Sequence, residues 1–143
     1  MGFMGMGEVA MEKAFPMNLQ SCIGVAPSVA GDDVPRVYAE HDVFVFPSML
    51  ESMSLVVPEA MASGMPIMTT RACGMQDIIE DGVAGFVVAP RDSERLANRL
   101  ALLLDNPSLG VELKRAARQK AREITRHQIA KQTIAVYEKL LRE

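Results

Sequence analysis

The run from Val43 to Phe46 constrains the fold of this chain more than any other segment. Its four residues are all apolar, and each is β-branched or aromatic. Such residues favour strands, and a strand that is apolar on both faces is typical of a buried parallel sheet. A helical pattern follows over residues 54–63, and Gly64 and Pro66 are placed to end it. This unit of strand, loop and helix predicts an α/β fold.

Further strands and helices alternate on both sides of this unit. The predicted strands cover 22–29, 67–70 and 85–89, and the predicted helices cover 33–40 and 76–80. Asp32 or Asp33 is placed to cap the first of these helices. Because parallel strands are joined by right-handed crossovers, we expect helices on both faces of one parallel sheet.

From Asp92 to its end, the sequence is predicted to be helical. Leucines recur at helical spacing over 96–104, and Asp105-Asn106-Pro107 ends this helix and begins the next. The next helix has an apolar stripe and a separate basic face around Arg115 and Arg118. We interpret that face as solvated, with contact to a membrane as the alternative.

Composition excludes several classes of protein. The chain has 143 residues, which suits a single domain over 1–143, and its net charge of −3 gives no electrostatic argument for binding nucleic acid. No segment approaches the ~20 apolar residues of a membrane-spanning helix. The two cysteines and the lack of a secretory leader indicate a reduced, cytoplasmic protein. The cysteines and the two histidines show none of the short spacings of metal motifs.

Two acids flank the loop and helix start that follow the Val43–Phe46 strand. Glu51 lies in the loop, and Glu59 lies inside the helix. In open α/β sheets, ligands bind where strands end, and the free amides of a helix start suit a diphosphate. Carboxylates accept hydrogen bonds from pairs of hydroxyl groups. A diphosphate beside paired hydroxyls predicts that a nucleotide-sugar binds here.

These acids belong to a longer motif. Glu51 is followed, after seven residues, by Glu59-Ala60-Met61-Ala62-Ser63-Gly64-Met65-Pro66. The motif resembles the signature of family 4 retaining glycosyltransferases, in the C-terminal, donor-binding domain of the GT-B fold. Three further segments are similar to the same family: 34–39, 42–48 and 77–88. The resemblance implies a Rossmann-like parallel sheet flanked by helices, with a helical C-terminal tail.

The resemblance implies roles for the residues of this motif. Glu59 would bind the ribose hydroxyls, Glu51 would bind hydroxyls of the donor sugar, and nearby backbone amides would contact the sugar and diphosphate. Gly74 would lie near the phosphates. The implied donor-binding set is Glu51, Ser52, Met53, Ser54, Leu55, Glu59 and Gly74. No metal or other cofactor is implied, because a helix dipole and basic side chains neutralise the pyrophosphate, and no catalytic residue is assigned on this chain.

The sequence departs from the family pattern at several positions. Ser52 and Ser54 stand where many relatives have glycine, so the backbone is less permissive. Cys73-Gly74 and Asp77 stand where relatives often have Gly-Gly and Glu. Pro58, near the fourth position of the predicted helix, predicts the loss of an early backbone hydrogen bond or a shifted helix start.

The resemblance also implies what lies outside this chain. The family's phosphate-binding Arg and Lys follow an earlier strand, and its acceptor-binding N-terminal domain comes before the donor-binding half. We therefore expect an incomplete domain that is inactive alone, with a nucleotide-sugar and the missing domain as partners. The last helix, with Tyr137 and Leu140, is expected to expose its apolar side or to pair with a second copy. The parent enzyme could also contact a membrane.

Two other functions remain open at this point. An isomerase such as a nucleotide-sugar 2-epimerase has a similar architecture, but its signature around the second acid differs. A non-catalytic module would bind a partner protein through the cleft face and the last helix. His41 and His127 are interpreted as capping or solvated residues, and Cys73 as a small packed side chain.

Overall fold

The computed structural model describes five stretches of the chain: residues 2–4, 14–26, 29–50, 54–72 and 74–142. The chain forms two units, Met1–Val34 and Pro35–Glu143. By number, all seven predicted donor-binding residues fall in the second unit.

The first unit contains a two-stranded parallel sheet. β1 (Gly2–Met4) pairs with β2 (Gly24–Ala26). Helix α1 (Met17–Gln20) precedes β2, and a 3-10 turn (Gly31–Asp33) follows it.

The predicted strand 22–29 is shorter in the structure. Cys22 lies in the turn that ends α1, where its amide donates to the carbonyl of Leu19 at 3.0 Å. The strand therefore begins at Gly24 and not at Cys22. Pro27 and Ser28 lie outside the described residues.

The second unit is built on a three-stranded parallel sheet, which confirms the predicted parallel pairing, but the strand predicted at 22–29 pairs in the two-stranded sheet of the first unit. β3 (Phe44–Phe46), β4 (Ile67–Thr70) and β5 (Gly85–Val88) lie in that order. Every residue of β4 and β5 is buried. The expectation that β3 is buried on both faces is wrong, because all three of its residues are only half-buried.

The predicted helices are confirmed, with ends that shift by one or two residues. They are α2 (Val34–Ala39), α3 (Val56–Ala62), α4 (Met75–Ile78), α5 (Ser93–Asp105), α6 (Pro107–Glu123) and α7 (Arg126–Leu140). Asp32 and Asp33, the predicted caps of α2, lie in the 3-10 turn that leads into it. Asn106 alone separates α5 from α6, so the break predicted at Asp105-Asn106-Pro107 is confirmed.

The core of the second unit joins the sheet to the helical tail. Met68 of β4 and Phe86 of β5 form a buried cluster with Leu103 of α5 and Leu113 of α6. Burying an apolar side chain of this size stabilises the fold by about 1.5–3 kcal/mol. The cluster therefore anchors α5 and α6 to the buried strands β4 and β5.

Gly85 is required by the close approach of β5 to β4. A Cβ atom at Gly85 would lie 2.2 Å from the carbonyl oxygen of Ile67, its register partner. No side chain fits at that distance, so the two central strands depend on glycine at this position.

Helix α7 differs from the other tail helices because none of its residues is buried. It begins at a capped end, where the Thr125 side chain accepts a hydrogen bond from the Gln128 amide at 3.2 Å. Tyr137 and Leu140 are both 62% exposed, so the predicted exposure of its apolar residues is confirmed. None of the described helices is long and apolar enough to cross a membrane.

Candidate functional site

The carboxyl ends of β3 and β4 are joined by threonine hydroxyls. Thr69 Oγ1 donates to the carbonyl oxygen of Phe46 at 2.8 Å, and Thr70 Oγ1 donates to the carbonyl oxygen of Ser48. Ser48 Oγ in turn donates to the carbonyl oxygen of Leu50 at 3.1 Å. Both threonines are buried, and a buried carbonyl group without a hydrogen-bond partner would destabilise the fold. They fix the path of the chain as it leaves β3 toward the predicted site.

The predicted donor-binding residues that precede α3 are only partly among the described residues. Glu51, Ser52 and Met53 lie outside the described residues, so their donor-binding roles stay predictions. Ser54, the next described residue, is half-buried, and Leu55 is 67% exposed.

Glu59 lies in the first turn of α3 with its side chain exposed. Its amide donates to the carbonyl of Leu55 at 3.1 Å, the first backbone bond of the helix. The other side of α3 is fixed in the core, because Val57, Ala60 and Met61 are fully buried. A carboxylate that faces solvent from an anchored helix can accept hydrogen bonds from a ligand without disturbing the fold.

Tyr38 is a neighbour of Glu59 that the sequence reasoning did not assign to the site. Its ring packs edge-on against Phe44 of β3, with 5.6 Å between ring centroids, and it is 4% exposed. Burial raises the pKa of the Tyr38 hydroxyl, and the nearby carboxylate of Glu59 raises it further. The available signals were the family resemblance of segment 34–39 and the single aromatic residue within it.

Pro58 does not remove a backbone bond from α3. The helix begins at Val56 and not at Ser54, so Pro58 occupies its third position. Amides in the first turn have no partner within the helix, and proline is tolerated there. The shifted helix start is the outcome, and the predicted loss of a hydrogen bond is wrong.

Gly74 follows the carboxyl end of β4. It precedes α4 and its carbonyl accepts a hydrogen bond from the Asp77 amide at 3.2 Å. Its φ angle is −71°, which any residue can adopt. Adjacent parallel strands end at one edge of the sheet, so Gly74 and the segment that leads into α3 share that edge. Its contact with phosphate stays a prediction, and Cys73 lies outside the described residues.

Backbone hydrogen bonds and a side chain of α6 both stabilise the C-terminal end of α3. Gly64, at φ +78°, donates to the carbonyl of Met61 at 2.9 Å, and Met65 donates to the carbonyl of Ala60 at 3.0 Å. This is a Schellman motif, so Gly64 is the helix stop that the sequence predicts. Arg118 of α6 adds a hydrogen bond from Nη2 to the carbonyl oxygen of Ser63 at 3.3 Å.

Comparison with known proteins decides the family. The model of the family described as "Glycosyl transferases group 1" matches residues 14–123. The chain belongs to this family. The MMP α-(1→4)-mannosyltransferase of Mycolicibacterium hassiacum is 32% identical over 127 residues, which cover 87% of this chain and 31% of that enzyme.

Solved structures with the same fold are glycosyltransferases of the GT-B class. Sucrose-phosphate synthase from Thermosynechococcus elongatus superimposes with a TM-score of 0.78 at 27% identity, over 87% of this chain and 31% of that protein. HepE of Anabaena, solved in complex with UDP-glucose, has a TM-score of 0.73 at 24% identity, over 89% of this chain and 34% of HepE. This chain thus spans about a third of each of these proteins.

The two histidines of the chain lie near helix ends. His41 Nδ1 lies 2.6 Å from the carbonyl oxygen of Val37, at the end of α2, and the residue is exposed. His127 is the second residue of α7 and is also exposed. The interpretation of His41 as a capping or surface residue and of His127 as solvated is confirmed.

A cleft of about 530 Å³ lies between α4 and α6. Its charged lining residues are Asp77, Glu80, Lys120 and Glu123, and Lys120 is paired with Glu123 at 2.9 Å. None of the described donor-binding residues lines this cleft. The described residues of the predicted donor site and the residues that line the cleft are therefore different sets.

Proposed function

We propose that this chain is the nucleotide-sugar-binding part of a retaining, metal-independent glycosyltransferase. The single observation that carries the proposal is the family match over residues 14–123, which includes the described part of the motif around Glu59. The donor is a nucleotide-diphospho-sugar, and the acceptor is unspecified. Since the chain contains only two cysteines, we place the protein in the reducing cytoplasm.

The proposed binding mode divides the donor between acids and backbone amides. Glu59 accepts hydrogen bonds from the ribose hydroxyls, and Glu51 accepts them from the sugar. Backbone amides around Ser54 and Leu55 contact the diphosphate, and Gly74 lies beside it. The exposure of Glu59 on an anchored helix supports this assignment, and so does the fold shared with HepE, which was solved with UDP-glucose.

The proposed role of this chain is to bind the donor and not to complete the transfer alone. It spans 31% of the mannosyltransferase that it matches, so most of such an enzyme corresponds to nothing in this chain. No residue of the chain is assigned to the chemical step. We propose that transfer occurs when an acceptor-binding domain completes the cleft.

Calorimetric titration with UDP, GDP and ADP, each free and as its glucose conjugate, tests this proposal. We expect saturable binding of at least one nucleotide with unchanged affinity after EDTA treatment. Glu59→Gln should weaken binding about tenfold or more, because hydrogen bonds to a charged group are lost. Glu94→Gln is the matched control, since Glu94 is also an exposed acid in the first turn of a helix.

Two results would contradict the proposal. The first is the absence of binding to every nucleotide diphosphate at millimolar concentration by a folded protein. The second is equal loss of affinity in Glu59→Gln and Glu94→Gln, which would show that the effect is not local to the predicted site.

A further inference from the structure

Helix α6 presents a straight basic stripe to solvent. Val111, Arg115, Arg118 and Arg122 are spaced by four, three and four residues, so they lie along one side of the helix. The stripe spans about 16 Å along the helix axis. The opposite side of α6 is fixed in the core, where Leu113 is 1% exposed and Ala117 is fully buried. The four stripe residues form, with Lys114 and Gln119, an open groove of about 670 Å³, here called the basic groove.

The positive charge of the basic groove is largely uncompensated. Lys114 lies 3.9 Å from Asp42, a loose and exposed ion pair. Arg118 donates to a backbone carbonyl, which leaves its charge intact. Within the described part of the chain, no carboxylate lies within ion-pair distance of Arg115, Arg118 or Arg122.

The acids of α6 do not cancel this charge. Glu123 is paired with Lys120, at 2.9 Å, and neither of these two residues lines the groove. Glu112 does not line it either. The groove is thus a local positive surface on a chain whose net charge is −3. An anionic partner is therefore attracted to the groove and repelled by the rest of the chain, which carries the excess negative charge.

We propose that the basic groove of α6 docks onto a membrane surface rich in anionic lipid headgroups. A cluster of four basic residues on one helix is the pattern that binds such surfaces, and each residue adds about fivefold to the partition coefficient. Val111 is 67% exposed at one end of the stripe and adds an apolar contact to the headgroup layer.

An anionic membrane fits the groove better than a nucleic acid does. Proteins that bind single strands combine basic residues with aromatic side chains on which bases stack, and the residues that line the groove include none. The phosphate backbone of a duplex offers no apolar partner to Val111, whereas a headgroup layer accepts this exposed apolar side chain. The proposal is independent of the proposed donor site, because no residue of the groove belongs to that site.

Sedimentation of the full chain with lipid vesicles tests the docking surface. We expect binding to phosphatidylcholine vesicles that contain about 30% phosphatidylglycerol, and only background binding to phosphatidylcholine alone. Raising the salt from about 50 mM to about 500 mM should abolish binding, because the contact is electrostatic.

Paired charge-removal variants localise the contact. Arg115→Gln/Arg122→Gln should lower the partition coefficient about 25-fold and leaves the Arg118–Ser63 hydrogen bond in place. Lys131→Gln/Lys139→Gln removes the same number of positive charges from exposed positions of α7. This control should change the partition coefficient less than threefold. Arg115→Lys/Arg122→Lys should retain binding, since it keeps the charge. Thermal melts of all variants establish that each is folded.

Four outcomes would overturn the proposal. They are equal binding to neutral vesicles, binding that persists at high salt, equal loss in the α7 control, and capture of labelled single-stranded RNA by a chain that ignores the anionic vesicles. If the double variant does not fold, the single variant Arg122→Gln gives the same comparison against Lys139→Gln.

Discussion

The guanidinium group of Arg118 occupies the space that a side chain at Gly64 would need. A Cβ atom at Gly64 would lie 2.2 Å from Arg118 Nε, while Arg118 Nη2 donates to the carbonyl of Ser63, the preceding residue. Arg118 of α6 therefore packs against the C-terminal end of α3, the helix that carries Glu59. The positive φ of Gly64 and the position of Arg118 are two separate reasons for glycine here.

Gly64→Ala is expected to destabilise the fold by more than backbone strain alone. The left-handed conformation costs alanine about 1–2 kcal/mol, and displacing Arg118 adds to that cost. Chemical denaturation of Gly64→Ala, Arg118→Ala and the double variant measures the coupling. The double variant should be more stable than the sum of the two single effects predicts.

Gly110→Ala is the matched control for this cycle. Gly110 lies inside α6, and an added Cβ would meet only Leu103 Cδ1, at an ordinary 3.8 Å. We expect stabilisation by about 0.5–1 kcal/mol, because alanine favours a helix interior over glycine. Equal destabilisation by Gly64→Ala and Gly110→Ala would refute the role given to Arg118.

Gly85→Ala is expected to break the pairing of β4 with β5. The added methyl group would overlap the backbone of Ile67, which cannot move as a flexible side chain can. The cost should exceed the 1–3 kcal/mol that is typical of overpacked cores, about enough to unfold a domain of marginal stability. Circular dichroism and solubility are the measurements. Gly31→Ala, where an added Cβ meets nothing within 4 Å, should behave as wild type.

Removing the threonine hydroxyls at the strand ends should loosen the loop before the donor site. Thr70→Val leaves the carbonyl of Ser48 without its donor, at an expected cost of about 1–3 kcal/mol. We also expect weaker nucleotide binding, because the loop toward Glu51 loses this anchor. Thr133→Val is the control, since Thr133 donates to Ile129 within exposed α7, and it should change stability by less than about 0.5 kcal/mol. Unchanged denaturation of Thr70→Val would contradict this account.

The raised pKa of Tyr38 predicts a loss of stability at alkaline pH. A tyrosine whose pKa is raised by folding stabilises the fold below its unfolded pKa and loses that contribution as pH rises through the folded value. Tyr38→Phe should therefore flatten the alkaline decline in stability. Glu59→Gln should lower the pKa of Tyr38, because it removes the negative charge that disfavours the phenolate.

Absorbance titration of the phenolate measures this shift directly. The chain has two tyrosines, so the Tyr137→Phe background leaves Tyr38 as the only phenol. Glu94→Gln should leave the titration unchanged. An identical titration of Tyr38 with and without the Glu59 carboxylate would show that the two groups do not interact.

Features set by neighbouring residues were predictable from the sequence. The apolar run 67–70 forms β4 as expected, and the glycine at position 64 ends α3 in the conformation that glycine favours. The family motif located Glu59, and the structure places it on an exposed turn of an anchored helix. These predictions succeed because turn chemistry and hydrophobic pattern act over a few residues.

Features set by residues distant in sequence were not predictable. The Thr69 hydroxyl reaches Phe46 across 23 positions, and Arg118 reaches Ser63 across 55. The proximity of Tyr38 to Glu59 depends on how α2 and α3 pack, which no local pattern encodes. The half-buried state of β3 depends likewise on which elements cover its two faces, since β5 has the same number of strand neighbours and is buried.

The lack of buried residues in α7 determines how this helix unfolds locally. A 15-residue helix without buried contacts has little to hold it beyond its own backbone bonds, and such helices are marginal in water. Its amide hydrogens should therefore exchange with solvent through frequent local opening. The amides of β4, enclosed between β3 and β5, open only when the whole second unit does. Amide exchange in the last turn of α7 thus reports helix fraying, while amide exchange in β4 reports global unfolding.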